Sequence, residues 1–280
     1  MPSWAPTPAP TVSPTDRRTV GDFDNVVIVD LEANGLNGTL PTELGDLSDL
    51  SRGFFLANNT LSQTLPTQLG RLIKMSAHFS LGGNTLTGTV PTQLGLLTEF
   101  DQMGFYSNQL TGAIPTQIGM MTKLVTAAYD GFLSGNEHTG ETIPTELGAL
   151  TGMTYGGYFL YSSKLGGTIP SELGRMSLMR LNFNLHSNSL SSTIPTQLGQ
   201  LSEMTRFFYL DSNQLCSDVP TEVQALSSGV TSWGVTTGNS IGTVCGWVDD
   251  DRFEGPTTAT SVSYNQQGLT GTIPTQVSVG

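Results

Sequence analysis

The 280-residue sequence predicts an α/β solenoid, a single stack of short parallel strands joined by helical turns. Three observations lead there. A phrase first met as PTELG at Pro41 returns at Pro66, Pro91, Pro115, Pro144, Pro170, Pro195 and Pro220, with spacings of 25, 25, 24, 29, 26, 25 and 25 residues. A period that steady marks stacked repeats, none of which can bury its apolar face alone. Upstream of each proline runs a second recurring pattern, as in FFLANNTLSQTLP, FSLGGNTLTGTVP and YLDSNQLCSDVP. The 33 glycines and 15 prolines supply the turns that a coil changing direction several times per repeat requires.

Each element follows from this pattern. In RGFFLANNTL, Phe54, Leu56 and Leu61 point inward, and the next coils offer Phe79, Leu81 and Leu86, then Met103, Phe105 and Leu110. This alternation marks a short strand, and successive strands pair in parallel at about 4.8 Å to form a concave sheet. Asn34, Asn59, Asn84, Asn108, Asn136, Asn188 and Asn213 follow the strands where the chain turns, with Ser163 in that place once. An inward amide there satisfies backbone groups that a turning chain leaves unpaired. In LNGTLPTELG, Leu36 and Leu40 face the core, Asn37 and Thr39 face out, and the second short strand ends at Pro41. TELGDL then makes a helical turn, with threonine expected as its cap and glycine as its close. Thr39, Thr64, Thr89, Thr142, Thr168 and Thr193 form one column, and Thr42, Thr67, Thr92, Thr116, Thr145 and Thr196 a second. Threonine suits exposed strand and cap positions, and regular ranks of it on a flat face also raise ice binding as an alternative function.

Together the positions read LxLxxNxLxGxIPxxLGxL, which strongly resembles the plant-type leucine-rich repeat over roughly residues 21 to 245, with a last copy near Leu269 to Val277. The resemblance implies a right-handed arc with its parallel sheet on the concave face and a second short strand and a helical turn in each coil. It is similar to the extracellular domains of plant receptor-like and inhibitor proteins, in which the concave face is where ligands bind. The outward positions on that face are Phe55, Tyr106, Phe159, Tyr161, Asn184, His186, Tyr209 and Asp211, with Phe132 added from the longer repeat. The alternative is that some of these side chains tilt inward, since most coils carry one residue more than is usual for the family, placed before the strand.

The flanks differ in composition. Residues 1 to 20, MPSWAPTPAPTVSPTDRRTV, read as a Ser/Thr/Pro-rich linker or stalk. Residues 246 to 262 break the period and read as an irregular loop, and residues 263 to 280 as a final partial repeat, so the chain looks like a portion of something longer. Charged residues make up 12% of the chain and the net charge is −12, which argues against nucleic acid as a partner. No apolar run reaches the length of a membrane span, and none follows Met1 as a secretory signal would.

Cys216 directly follows Leu215 and Cys245 lies one coil on, so a disulfide or two buried free thiols are the alternatives. A disulfide implies oxidising surroundings. The sequons at Asn37 and Asn58 fit a secretory glycoprotein. His78, His138 and His186 fall on different coils without triad or metal spacing, and His138 stands where other coils have leucine. WVDDDRFEG lacks the spacing of a calcium loop. These readings predict no enzyme, no cofactor and no metal. They predict an extracellular or cell-surface module that binds a protein, peptide or glycan by its concave face. The alternative is a structural subunit of a coat, wall or filament assembled from packed solenoids.

Overall fold

Two sets of parallel strands and a file of tight turns run the length of the computed structural model, which describes residues 26–127, 132–155 and 160–245. The leader, the loop at 246–262, the final repeat and Phe159 lie outside the described residues. On the inner face the strands Ile28–Asp30, Gly53–Phe55, Phe79–Ser80, Gln102–Gly104 and Thr126–Ala127 pair in that order. Further along, Leu181–Asn184, Arg206–Tyr209 and Trp233–Gly234 do the same. The register is that of the repeat itself: Phe54 faces Phe79, Phe79 faces Met103, and Phe183 faces Phe208.

Inside the coil the same residues stack ring on ring. Phe54 meets Phe79 edge-on at 5.2 Å, Phe79 meets Phe105 at 5.2 Å, and farther on Phe183 stacks on Phe208 and Phe208 on Trp233 at 4.7 Å. Leu50, Leu81, Leu110, Leu185 and Leu215 are fully buried beside them, so the core is one continuous column from coil to coil.

The asparagine ladder closes the gaps in hydrogen bonding. The Asn59 side-chain oxygen accepts from the amides of Asn34 (3.0 Å) and Leu36 (2.9 Å), while its NH2 group donates to the carbonyls of Leu31 and Leu56. Asn84, Asn108, Asn136, Asn188 and Asn213 repeat the arrangement, and Asn239 extends it by one coil. Each amide joins two coils, which is why a polar side chain is tolerated at 2 to 7% exposure at most of these positions.

The corner phrase has a different logic from the one its sequence suggests. The turns from Thr42–Asp46 to Thr196–Gln200 are 3-10 helices and the one at Thr221–Leu226 is a short α-helix, and the residue at each N-terminal cap is proline without a side-chain hydrogen bond. Thr42 donates instead to the Glu43 carboxylate at 3.1 Å, because the proline carbonyl already accepts from Leu44 and opens the turn. The glycine does not close the turn. A Cβ on Gly45 would lie 2.2 Å from the Gln68 carbonyl oxygen, and one on Gly70 would lie 2.5 Å from that of Gln93. Glycine is there because the next coil's backbone lies directly against it.

Candidate functional site: the inner face after residue 160

Alternation along an inner strand sends every second side chain out of the core, and the coil stack brings those side chains into rows. Tyr161, His186, Tyr209 and Asp211 stand half-buried on this face, as does Tyr106 farther up the stack. The first three are joined. The Tyr161 and His186 rings stack 5.3 Å apart at an interplanar angle of 7°, and His186 meets Tyr209 edge-on at 6.5 Å. The Ser187 hydroxyl and His186 Nδ1 are hydrogen-bonded at 2.7 Å.

Two expected members are absent from this row. Phe132 is fully buried, because in the 29-residue coil both it and Leu133 turn into the core and the strand alternation is lost. Asn184 is 2% exposed, its side-chain oxygen accepting from the His186 amide at 3.0 Å, so it braces the row from beneath. Phe55 stays half-buried with its ring laid over its own strand, where a Cβ on Gly53 would lie 2.4 Å from it.

The row also gains members that the repeat pattern hides. The ring of Phe207 lies 6.2 Å from that of Tyr209, and the Arg206 guanidinium sits 4.8 Å over Phe207. Phe207 and its counterpart one coil earlier, Asn182, both adopt φ of +62°. This left-handed step is rare for such residues. It absorbs the extra residue of the coil and lets Phe208 point in while Phe207 lies along the surface. The surplus residue before the strand was the only sequence signal for it. Tyr209 and Asp211 lean over Gly234, where an added Cβ would lie 2.7 Å from each, so a bare glycine makes room for both.

The ring faces of Tyr161 and His186 are turned toward each other, and Tyr209, Phe207 and Arg206 continue the chain of ring contacts on the next coil, so apolar ring surface and polar groups lie side by side along the row. The ion pairs Arg71–Asp46, Lys74–Asp49, Lys123–Glu99 and Lys164–Glu137 bridge successive coils elsewhere on the exposed surface and contribute little. An open groove of about 550 Å³ lies on the other sheet, between Thr142, Thr145, Thr168 and Thr193, and is unconnected with the aromatic row. Among the described residues no three His, Cys, Asp or Glu side chains come together as a metal site would require, and no helix is long and apolar enough to cross a membrane.

Cys216 is bonded to Cys245, tying the strand Gln214–Ser217 to the chain beyond Ser240–Ile241 across a separation of 29 residues. Closing a loop of that size stabilises the fold by about 3 kcal/mol. Asn37 and Asn58, the two sequon asparagines, are exposed, and Asn58 donates to the Glu32 carboxylate at 3.0 Å.

No protein-family model and no curated protein sequence matches the chain. Solved structures do. It is similar to the plant peptide hormone receptor RGFR1 in complex with RGF2, at 28% identity and a TM-score of 0.71, over 79% of this chain and 34% of that one. The Arabidopsis receptor kinase HAESA, in complex with the peptide hormone IDA and the co-receptor SERK1, matches at 27% identity and a TM-score of 0.65, over 78% of this chain and 35% of that one. A leucine-rich-repeat protein of Leptospira interrogans shares the fold at 24% identity and a TM-score of 0.53, over 79% and 57% of the two chains. The chain thus spans about a third of the two receptors' length. It is a leucine-rich-repeat solenoid, and the solved structures it resembles include plant receptor ectodomains.

Proposed function

We propose that the chain is a non-enzymatic recognition module, outside the cell or at its surface, that binds a peptide or protein ligand along its inner face. The observation that carries this reading is the joined row Tyr161, His186, Tyr209, Phe207 and Arg206 across three successive coils. Aromatic and arginine side chains of this kind anchor interfaces, and polar groups set among them suit the alternating donors and acceptors of an extended backbone. A glycan fits less well, because sugar rings stack on aromatic faces and here Tyr161 and His186 cover each other. The complexes of RGFR1 and HAESA with peptides support the same reading. The disulfide supports an oxidising location, where Asn37 and Asn58 would carry glycans.

The test is a screen of phage-displayed random peptides and an array of neutral oligosaccharides against the chain, repeated with Tyr161→Ala and Tyr209→Ala. Each truncation should weaken binding by about 2 kcal/mol, roughly thirtyfold. If they leave all binding intact while changes on the outer turns dissolve a self-assembled form, the chain is a structural subunit instead.

A second reading rests on the other sheet. Thr39, Thr60, Thr64, Thr85 and Thr89 are exposed there. The hydroxyls of Thr60, Ser62 and Thr85 donate to the preceding coil's carbonyls at 3.0, 3.3 and 2.9 Å, which fixes their lone pairs outward. Such a face orders water, and an ice-recrystallisation assay tests it: inhibition lost in Thr64→Val and Thr89→Val supports ice binding, and no inhibition by the unaltered chain rejects it.

A further inference from the structure

The repeat places leucine two residues after each ladder position, as at Leu61, Leu86, Leu110, Leu165, Leu190 and Leu215, but the coil between Leu110 and Leu165 carries His138. That histidine is fully buried. Its Nδ1 donates to the Gly112 carbonyl of the preceding coil at 2.6 Å, while its Nε2 is buried without a hydrogen-bond partner. The following coil has Ser163 in place of the ladder asparagine. Serine reaches only the carbonyls of Leu133 and Tyr161, so the His138 amide bonds to the Ser163 main-chain carbonyl instead of to a side-chain oxygen. The two departures meet at one junction, where the imidazole supplies a coil-to-coil bond beside the missing asparagine.

We propose that His138 is an acid-sensitive pin: the coil spanning 132–155 is held against its neighbours while the ring is neutral and is released as the medium acidifies. A second proton can enter only at Nε2, where it would place an unpaired N–H and a charge in the apolar column between Leu110 and Leu165. Burial holds the ring below its ordinary value of 6.5, while the Gly112 carbonyl and the Glu141 carboxylate pull the other way. The remaining charges nearby are Glu137 on the same coil and Lys164 on the next, paired with each other at 3.1 Å; residues 109–114 of the preceding coil carry none. The unfolded chain therefore takes up the proton first, so the stabilisation is complete above about pH 6.5 and is lost as pH falls below it. The consequence reaches the inner face, because the Gly135 amide donates to the Tyr161 carbonyl at 3.0 Å and couples this coil to the start of the aromatic row.

The experiment compares thermal unfolding of the chain and of His138→Leu, which restores the repeat residue, between pH 8 and pH 5.5. The Tm of the unaltered chain should fall below pH 6.5 by about 3 °C per pH unit more than that of the variant. Parallel curves would overturn the proposal. Imidazole NMR on the unaltered chain gives an independent answer, should the variant fail to fold: His138 must take up its proton below the ordinary value of 6.5, and titration at that value overturns the pin.

Discussion

The two sheets of the solenoid are built from the same coils and obey different rules. On the inner sheet each residue pairs with its repeat equivalent, as Phe54 does with Phe79, 25 positions on. On the other sheet the pairing falls two residues short of the repeat, Thr39 facing Ser62 and Ser192 facing Leu215. There the methyls of Thr64, Thr89 and Thr142 settle over Gly88, Gly112 and Gly167 of the next coil, close enough that a Cβ would lie within 2.9 Å. The outward residues follow suit. Those of the second sheet repeat, whereas the equivalent stations of the inner strands, among the described residues, read Asp30, Phe55, Ser80, Gly104, Asn184, Tyr209 and Gly234, with no side chain repeated. Repetition is what packing imposes, and its absence on the inner face shows where packing has ceased to dictate the residue.

That contrast can be broken at several levels. The largest effect is expected in the shared core. Leu81→Asn or Leu185→Asn leaves a polar group in a fully buried site and should cost about 3–5 kcal/mol or more, abolishing the cooperative transition in circular dichroism. Next comes the ladder. Asn84→Ala removes the acceptor for the Leu61 amide and the donors to Leu56 and Leu81, so urea unfolding should show a loss of about 2–4 kcal/mol. Cys216→Ser should cost about 3 kcal/mol, with amide exchange rising mainly near the strand Gln214–Ser217. The smallest effect belongs to the second sheet, where Thr89→Val keeps the methyl contacts and should change stability by about 0.5 kcal/mol or less.

How much was legible follows from the same distinction. The ladder could be read because Asn59, Asn84, Asn108, Asn136, Asn188 and Asn213 repeat one signal, although Asn34 in the first coil is exposed and its side chain bonds only to the Glu32 carbonyl, and the core because Phe54, Phe79 and Met103 recur in step. The corner was located and misunderstood: Gly45 looked like a helix end, and only the approach of the Gln68 carbonyl explains it. That contact is between coils and has no local signature. At the site the limits were sharper. Tyr161, His186 and Tyr209 lay at regular outward stations, so their proximity was predictable. Phe132 misled because its coil is longer and abandons alternation. Phe207 and Arg206 were hidden because a left-handed step at Phe207 sets a residue outside the repeat register. Backbone conformation of that kind is decided by neighbours in space.

The central claim is that the inner aromatic row serves recognition and the rest of the coil serves architecture. Binding and stability measured together on Tyr161→Ala, with peptides selected on the unaltered chain, test it most directly. The expected result is a roughly thirtyfold weaker Kd with Tm changed by about 2 °C or less. A variant that keeps its Kd, or one whose Tm falls as far as that of a core substitution, would contradict the account.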